Sequence, residues 1–194
     1  INTSASGDYS HAEGYITFAR GIGSHAEGWQ TVASGAYSHA EGYLTRAFGN
    51  SSLSGYNISY GAHSEGFSTL ASGAASHAEG YFTTSSGVVS HAEGYSTIAS
   101  GLASHTEGSS SIALGVASHT AGWSTIASGA YQSVIGQFNR ANTSQSAFII
   151  GDGTSDGARR NVLFVSGTRF EASASNVFFQ GLPQNTSSFV LIYN

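Results

Sequence analysis

Along most of the chain, small and bulky side chains alternate with a period of two inside runs of five, and the runs recur every fourteen residues. In Ser10-His11-Ala12-Glu13-Gly14 the small residues Ser, Ala and Gly occupy one parity, and His11 and Glu13 the other. Alternation of this kind is the mark of a strand with two unlike faces. The run returns as Ser24–Gly28, Ser38–Gly42, Ser76–Gly80 and Ser90–Gly94, and in altered form at His63–Gly66, Ser104–Gly108, Ser118–Gly122 and Gln132–Gly136. A second run follows each of them. In Tyr15-Ile16-Thr17-Phe18-Ala19, Thr17 and Ala19 share the small face, which leaves Ile16 and Phe18 outside.

The closing glycines fall at 14, 28, 42, 55, 66, 80, 94, 108, 122 and 136, a spacing of fourteen except for 13 and 11 around Gly55. A repeat this short cannot hold a helical hairpin, and glycine at this density opposes helix. Two short strands and two tight turns fit it, as one coil of a parallel β-solenoid. The expected fold is therefore all-β, with about ten coils over residues 1–137. The turns between Asn50 and Gly61 are expected to stay in the stack while breaking its columns.

A lumen of Ala, Ser, Thr and Gly buries little apolar area, at about 25 cal/mol per Å². Ordering each residue costs on the order of 1–2 kcal/mol in backbone entropy. So thin a coil is marginal alone, and its outward faces are expected to pack on further copies of the chain. Residues 138–194 depart from the repeat and read as a smaller β-rich cap. Its strands are expected near 147–151, 161–166, 168–172, 176–180 and 188–193, with turns at Asp152-Gly153 and Asp156-Gly157. Charge shifts at the same boundary: Asp8 and seven Glu face two Arg before it, whereas three acids face four Arg after it.

Composition removes several function classes. The chain has no lysine and a formal charge of −5, which argues against a nucleic-acid partner. No apolar run approaches the ~20 residues a membrane span needs. There is no cysteine and no methionine. With its start at Ile1, we expect a piece of a longer protein.

The repeat closely resembles the head repeat of trimeric autotransporter adhesins, the YadA-like left-handed β-roll, whose motif runs roughly Ser-Val-Ala-Ile-Gly-x-x-Ala-x-Ala-x-Gly-x-x. Ser38-His39-Ala40-Glu41-Gly42 matches its first strand, Thr45 and Ala47 its second, and Gly49 its turn. The resemblance implies a parallel homotrimer of thin left-handed rolls. His and Glu stand here where that family carries Val and Ile, a form more similar to repeats in phage and other viral fibre proteins. Segments such as Ala147–Thr154, Gly181–Pro183 and Phe189–Asn194 are similar to the ends of phage tail-fibre proteins. A virion fibre, outside the cell and bound to a host-surface receptor, is what the resemblance implies; a bacterial adhesin head or a structural extracellular filament are the alternatives.

The chemistry-bearing residues form columns. Seven His-x-Glu pairs occur, His11/Glu13, His25/Glu27, His39/Glu41, His63/Glu65, His77/Glu79, His91/Glu93 and His105/Glu107. Carboxylates stacked about 4.8 Å apart repel by roughly 3–4 kcal/mol per neighbour at an effective dielectric of 20, so the histidines are expected to offset them in an inter-chain polar network. A cation held by such pairs ranks below that reading, and no metal or cofactor is assigned. No catalytic residue is assigned either, since Ser10 and His11 are neighbours on a strand and point to opposite faces. Aromatic residues follow most closing glycines, at Tyr15, Trp29, Tyr43, Tyr56, Phe67, Tyr81, Tyr95 and Trp123. They are expected to stack as a ladder, with Tyr15, Trp29, Tyr43 and Trp123 the candidates for glycan contact.

Overall fold

The computed structural model of the chain describes residues 2–50, 52–53, 56–57, 61–167 and 169–173. The coil predicted by the repeat is present. Each turn of the solenoid contributes one strand to a sheet built on the His-Ala-Glu runs and one to a sheet built on the Thr-x-Ala runs. All pairing between coils is parallel, and it keeps like residues in register, as in His25↔His39 with Ala26↔Ala40 and Glu27↔Glu41. The expected strands at 176–180 and 188–193 lie outside the described residues.

The lumen is as narrow as the sequence implies. Ala19, Ala26, Ala33, Ala40, Ala47, Ala71 and Ala78 are fully buried, as are Thr17, Thr31 and Thr45, so Ala and Thr fill the inside of successive coils. The serine before His25, His39, His77, His91, His105 and His119 is buried as well, and its hydroxyl closes a turn: Ser24 Oγ donates to the Gly21 carbonyl at 2.7 Å, and Ser38 Oγ to that of Gly35 at 2.7 Å.

The closing glycine does not line the lumen, contrary to the parity argument. Gly28 and Gly42 are exposed and carry φ near 106°, where the strand bends into the corner. A Cβ on Gly80 (φ 102°) would lie 2.4 Å from the Gly94 carbonyl oxygen of the next coil. The period of two ends at this kink, so parity cannot be carried past it.

Two further corners per coil are left-handed, mostly at residues other than glycine, among them Ile16 (φ 56°), Tyr37 (φ 55°) and Val89 (φ 49°). β-Branched residues avoid this region. They are held there because the turned amide meets the preceding coil: Val89 N donates to Ala74 O at 2.9 Å and Tyr37 N to Ile22 O at 2.7 Å. Hydrogen bonding between coils thus continues around the corners.

The irregular stretch differs from expectation. His39 pairs directly with His63, and Tyr43 with Phe67. That step of 24 residues is one coil plus ten, so the aromatic column passes from Tyr43 to Phe67 with no place for Tyr56, and the turn expected at Gly55 lies outside the described residues. Within this interval Ser52–Leu53 and Tyr56–Asn57 pair as an antiparallel hairpin in a sheet of their own. The columns run on unbroken.

The far end is closed differently. Phe148–Asp152 adds another parallel rung, Val134↔Ile149, and the sheet then turns antiparallel through Asn161–Ser166 and Arg169–Ala172. Those three strands agree with expectation, as does the turn at Asp156-Gly157, a short 3-10 turn over Asp156–Ala158, whereas Asp152 belongs to a strand. Here the lumen admits larger groups, with Ala127, Val134, Ala147, Ile149 and Phe164 forming one buried cluster. Asn139, fully buried, ends the other sheet: its Oδ1 accepts from Ile126 N at 2.7 Å and its Nδ2 donates to Ile126 O at 3.0 Å. A side-chain amide thereby takes the place of the next rung. Arg159 fastens this cap by donating to Ser124 O and Asn139 O.

Candidate functional site

Strand register places the histidines in one column and the glutamates in a second beside it, on the outward face of the sheet. From His25 to His105 the imidazoles lie face to face, with centroids 4.7–4.9 Å apart and planes within 5° of parallel. That spacing is the rise of a β ladder, so stacking follows from register alone.

Each imidazole from His39 onward meets a carboxylate of the preceding coil rather than the glutamate of its own strand. Nε2 of His77, His91 and His105 donates to Oε1 of Glu65, Glu79 and Glu93 at 3.1, 3.1 and 3.3 Å. His39–Glu27 and His63–Glu41 stand farther apart, at 3.6 and 3.5 Å. These groups are about one-third exposed. Each pair therefore contributes a fraction of a kcal/mol to stability, within the range of about 0–1 kcal/mol for solvated pairs.

The structure thus brings the fourteen residues of the seven pairs, His11 to Glu107, into one ladder. It also recruits His119, which carries no His-x-Glu signature and meets Glu107 at 3.4 Å. The signal that could have found it was register, since His119 pairs with His105 one coil earlier. Beyond it the two columns turn apolar or small: Ser133 and Phe148 follow His119, while Ala121, Ile135 and Ile150 follow Glu107.

The aromatic column borders this ladder. Tyr15 stacks on Trp29 with centroids 4.1 Å apart, Tyr43 on Phe67 at 4.9 Å, Phe67 on Tyr81 at 4.7 Å and Tyr81 on Tyr95 at 5.3 Å. Trp29 and Tyr43 lie near parallel at 6.2 Å, so Tyr15, Trp29 and Tyr43 form one loosely stacked group that stays exposed along the column. Trp123 stands apart. Ser109 separates it from Tyr95 in the column, and its indole leans at 57° on Phe138 while 55% of the residue stays exposed.

The serine of each coil offers no nucleophile to the imidazole beside it. Ser10 Oγ donates to Gly7 O at 2.6 Å, and the serines of later coils do the same at the equivalent turn. At the C-terminal end a shallow cleft lies among Arg140, Arg160, Arg169 and Glu171. Arg160 is held above its ordinary pKa by the hydrogen bond and charge of Asp152. No protein-family model and no curated protein matches this chain.

Proposed function

We propose that this chain is a rigid segment of a trimeric viral fibre, a phage tail fibre above all, that projects and presents receptor-binding surface outside the cell. The observation that carries the reading is a mismatch between inside and outside. The lumen holds only small residues as far as Ala127, whereas the outward column of the other sheet carries Phe18, Val32, Leu70, Ile98, Ile112 and Ile126, interrupted by Arg46 and Thr84. Ile98 is 38% exposed in the single chain. Apolar runs such as Ile98, Ile112 and Ile126 on successive coils call for cover. Further copies of a straight rod supply it with every coil in register.

The likeness of the Ser-His-Ala-Glu-Gly repeat to YadA-like left-handed rolls supports three parallel chains, and the same arrangement would let the His/Glu ladders meet between chains. Function is then mechanical. Three linked weak sites bind a host surface with an avidity none has alone. Tyr15, Trp29, Tyr43 and Trp123 are the proposed glycan contacts, with no catalytic step and no nucleic-acid or membrane partner. A bacterial trimeric adhesin head is the second reading, favoured by Ser133-Val134-Ile135-Gly136, where apolar Ile135 stands in the glutamate column although Ser133 stands in the histidine column.

Light scattering of the purified chain should give three times the 19.9 kDa chain mass. A glycan array probed with that assembly should give hits that Trp123→Ala loses. A folded monomer, or an assembly that binds neither glycans nor bacterial cells, overturns the reading.

A further inference from the structure

We propose that His11, Glu13 and His25 form a binding site for a divalent transition metal of the zinc, nickel or copper class, at the N-terminal end of the imidazole column. Each of the three offers one ligand atom, and those atoms lie within 4.8 Å of one another. Four other triads meet the same distance test, the next being His25, Glu27 and His39. Ring orientation separates them. An imidazole lone pair lies in the plane of its ring, so two parallel rings cannot both direct their nitrogens at one ion between them.

In the other four triads the two rings are parallel within 5°. His11 and His25 are tilted by 60°, with centroids 5.1 Å apart. Their planes intersect, and a point common to both exists.

The carboxylate is also placed differently at this end. Glu13 stands 3.5 Å from Nε2 of His11, in its own strand. That separation is long for a hydrogen bond but fits two ligands on a tetrahedral ion with bonds of about 2.0–2.2 Å. Nε2 of His25 is buried and has no hydrogen-bond partner, a state shared with His39 and His63, but only His25 has it beside a ring tilted by 60°. A buried nitrogen left in that state is costly, and a bound cation would satisfy it.

Two imidazoles and one carboxylate suit zinc, nickel or copper, whereas calcium and magnesium favour all-oxygen sets. The side chains of His11 and Glu13 are 65% and 58% exposed. They can therefore adjust to an ion, and a remaining position stays open to water. Occupancy would clip the first two coils together.

The test is calorimetric titration of the tag-free chain with Zn²⁺, and with Co²⁺ read by its visible absorption. One saturable ion per chain is expected. His11→Gln and Glu13→Gln should each weaken binding by at least about 10–100-fold, the scale set by loss of mere supporting contacts. His91→Gln, whose imidazole is hydrogen-bonded to Glu79 at 3.1 Å, should leave binding unchanged. Circular dichroism of each variant checks that it folds, which the exposure of His11 and Glu13 favours. No saturable binding, a stoichiometry of three or more, or equal weakening by His91→Gln and His11→Gln overturns the proposal. None of these outcomes depends on the fibre reading, which fails or stands on mass and glycan binding.

Discussion

Inside the coil a threonine differs from a valine by one hydroxyl, and the lumen treats that hydroxyl unevenly. Thr69 Oγ1 shares a hydrogen bond with Ser64 Oγ at 2.7 Å. Thr31 Oγ1 is equally buried and has no partner. An unsatisfied buried hydroxyl costs about 1–3 kcal/mol, whereas a paired one is worth about 1 kcal/mol. Thr31→Val should therefore stabilise the fold by about 1 kcal/mol, while Thr69→Val should destabilise it by a similar amount. Denaturant melts of the two variants check this, and a loss of stability in Thr31→Val would contradict it. The substitution nearly conserves volume, so packing adds little.

Two elements interrupt the repeat, and each is separable from it. The first is the ten-residue excursion between His39 and His63. Joining Asn50 directly to Gly61 would bring His63 as close in sequence to Gly42 as His39 is to Gly28. Gly61 (φ 62°) already occupies the left-handed corner that Tyr37 (φ 55°) fills one coil earlier. A variant lacking residues 51–60 should thus keep the fold and the full circular-dichroism signature of the solenoid, with its midpoint within a few degrees. Collapse of the stack would show that the excursion supports it. The second element is the Asn139 cap. Asn139→Ala removes both partners of a buried backbone unit and should cost about 2–4 kcal/mol by equilibrium unfolding. Asn139→Asp keeps the acceptor for Ile126 N and should cost less than Asn139→Ala only if that bond outweighs burial of the new charge.

At the scale of the whole molecule, the long axis and its outward stripe matter more than any one coil. Ile112 stacks between Ile98 and Ile126 on the outside of a sheet whose inside is Ala113. A carboxylate at 112 would meet water in a single chain but apolar surface in an assembly. Ile112→Glu should leave the secondary structure of the coil intact and reduce the mass seen by light scattering toward that of one chain. If mass is unchanged, the stripe is not where copies meet, and the histidine–glutamate face becomes the alternative contact. The two ends of the rod differ as well. One closes in an antiparallel cap with a larger apolar cluster, while the other presents His11 and Glu13 to solvent.

Much of this was legible in the chain itself, because a fourteen-residue period with small residues in one parity has few physical solutions. Coil length, the Ala and Thr lumen, the outward His and Glu and the stacked aromatics all follow from period and parity. What failed to follow was whatever depended on the backbone leaving the β region. Parity puts the closing glycines in the lumen, but it does not survive a residue at φ near 106°, where side chains no longer alternate. Spacing counted along the chain turns Gly55 and Tyr56 into another coil, whereas register in space joins His39 to His63. The pairing of each imidazole with the carboxylate of the preceding coil, and the tilt that sets His11 and His25 apart from the parallel rings, were likewise decided by three-dimensional stacking. A linear sequence states which residues share a column; only the folded coil sets which neighbour each side chain leans toward, because that depends on the corner between them.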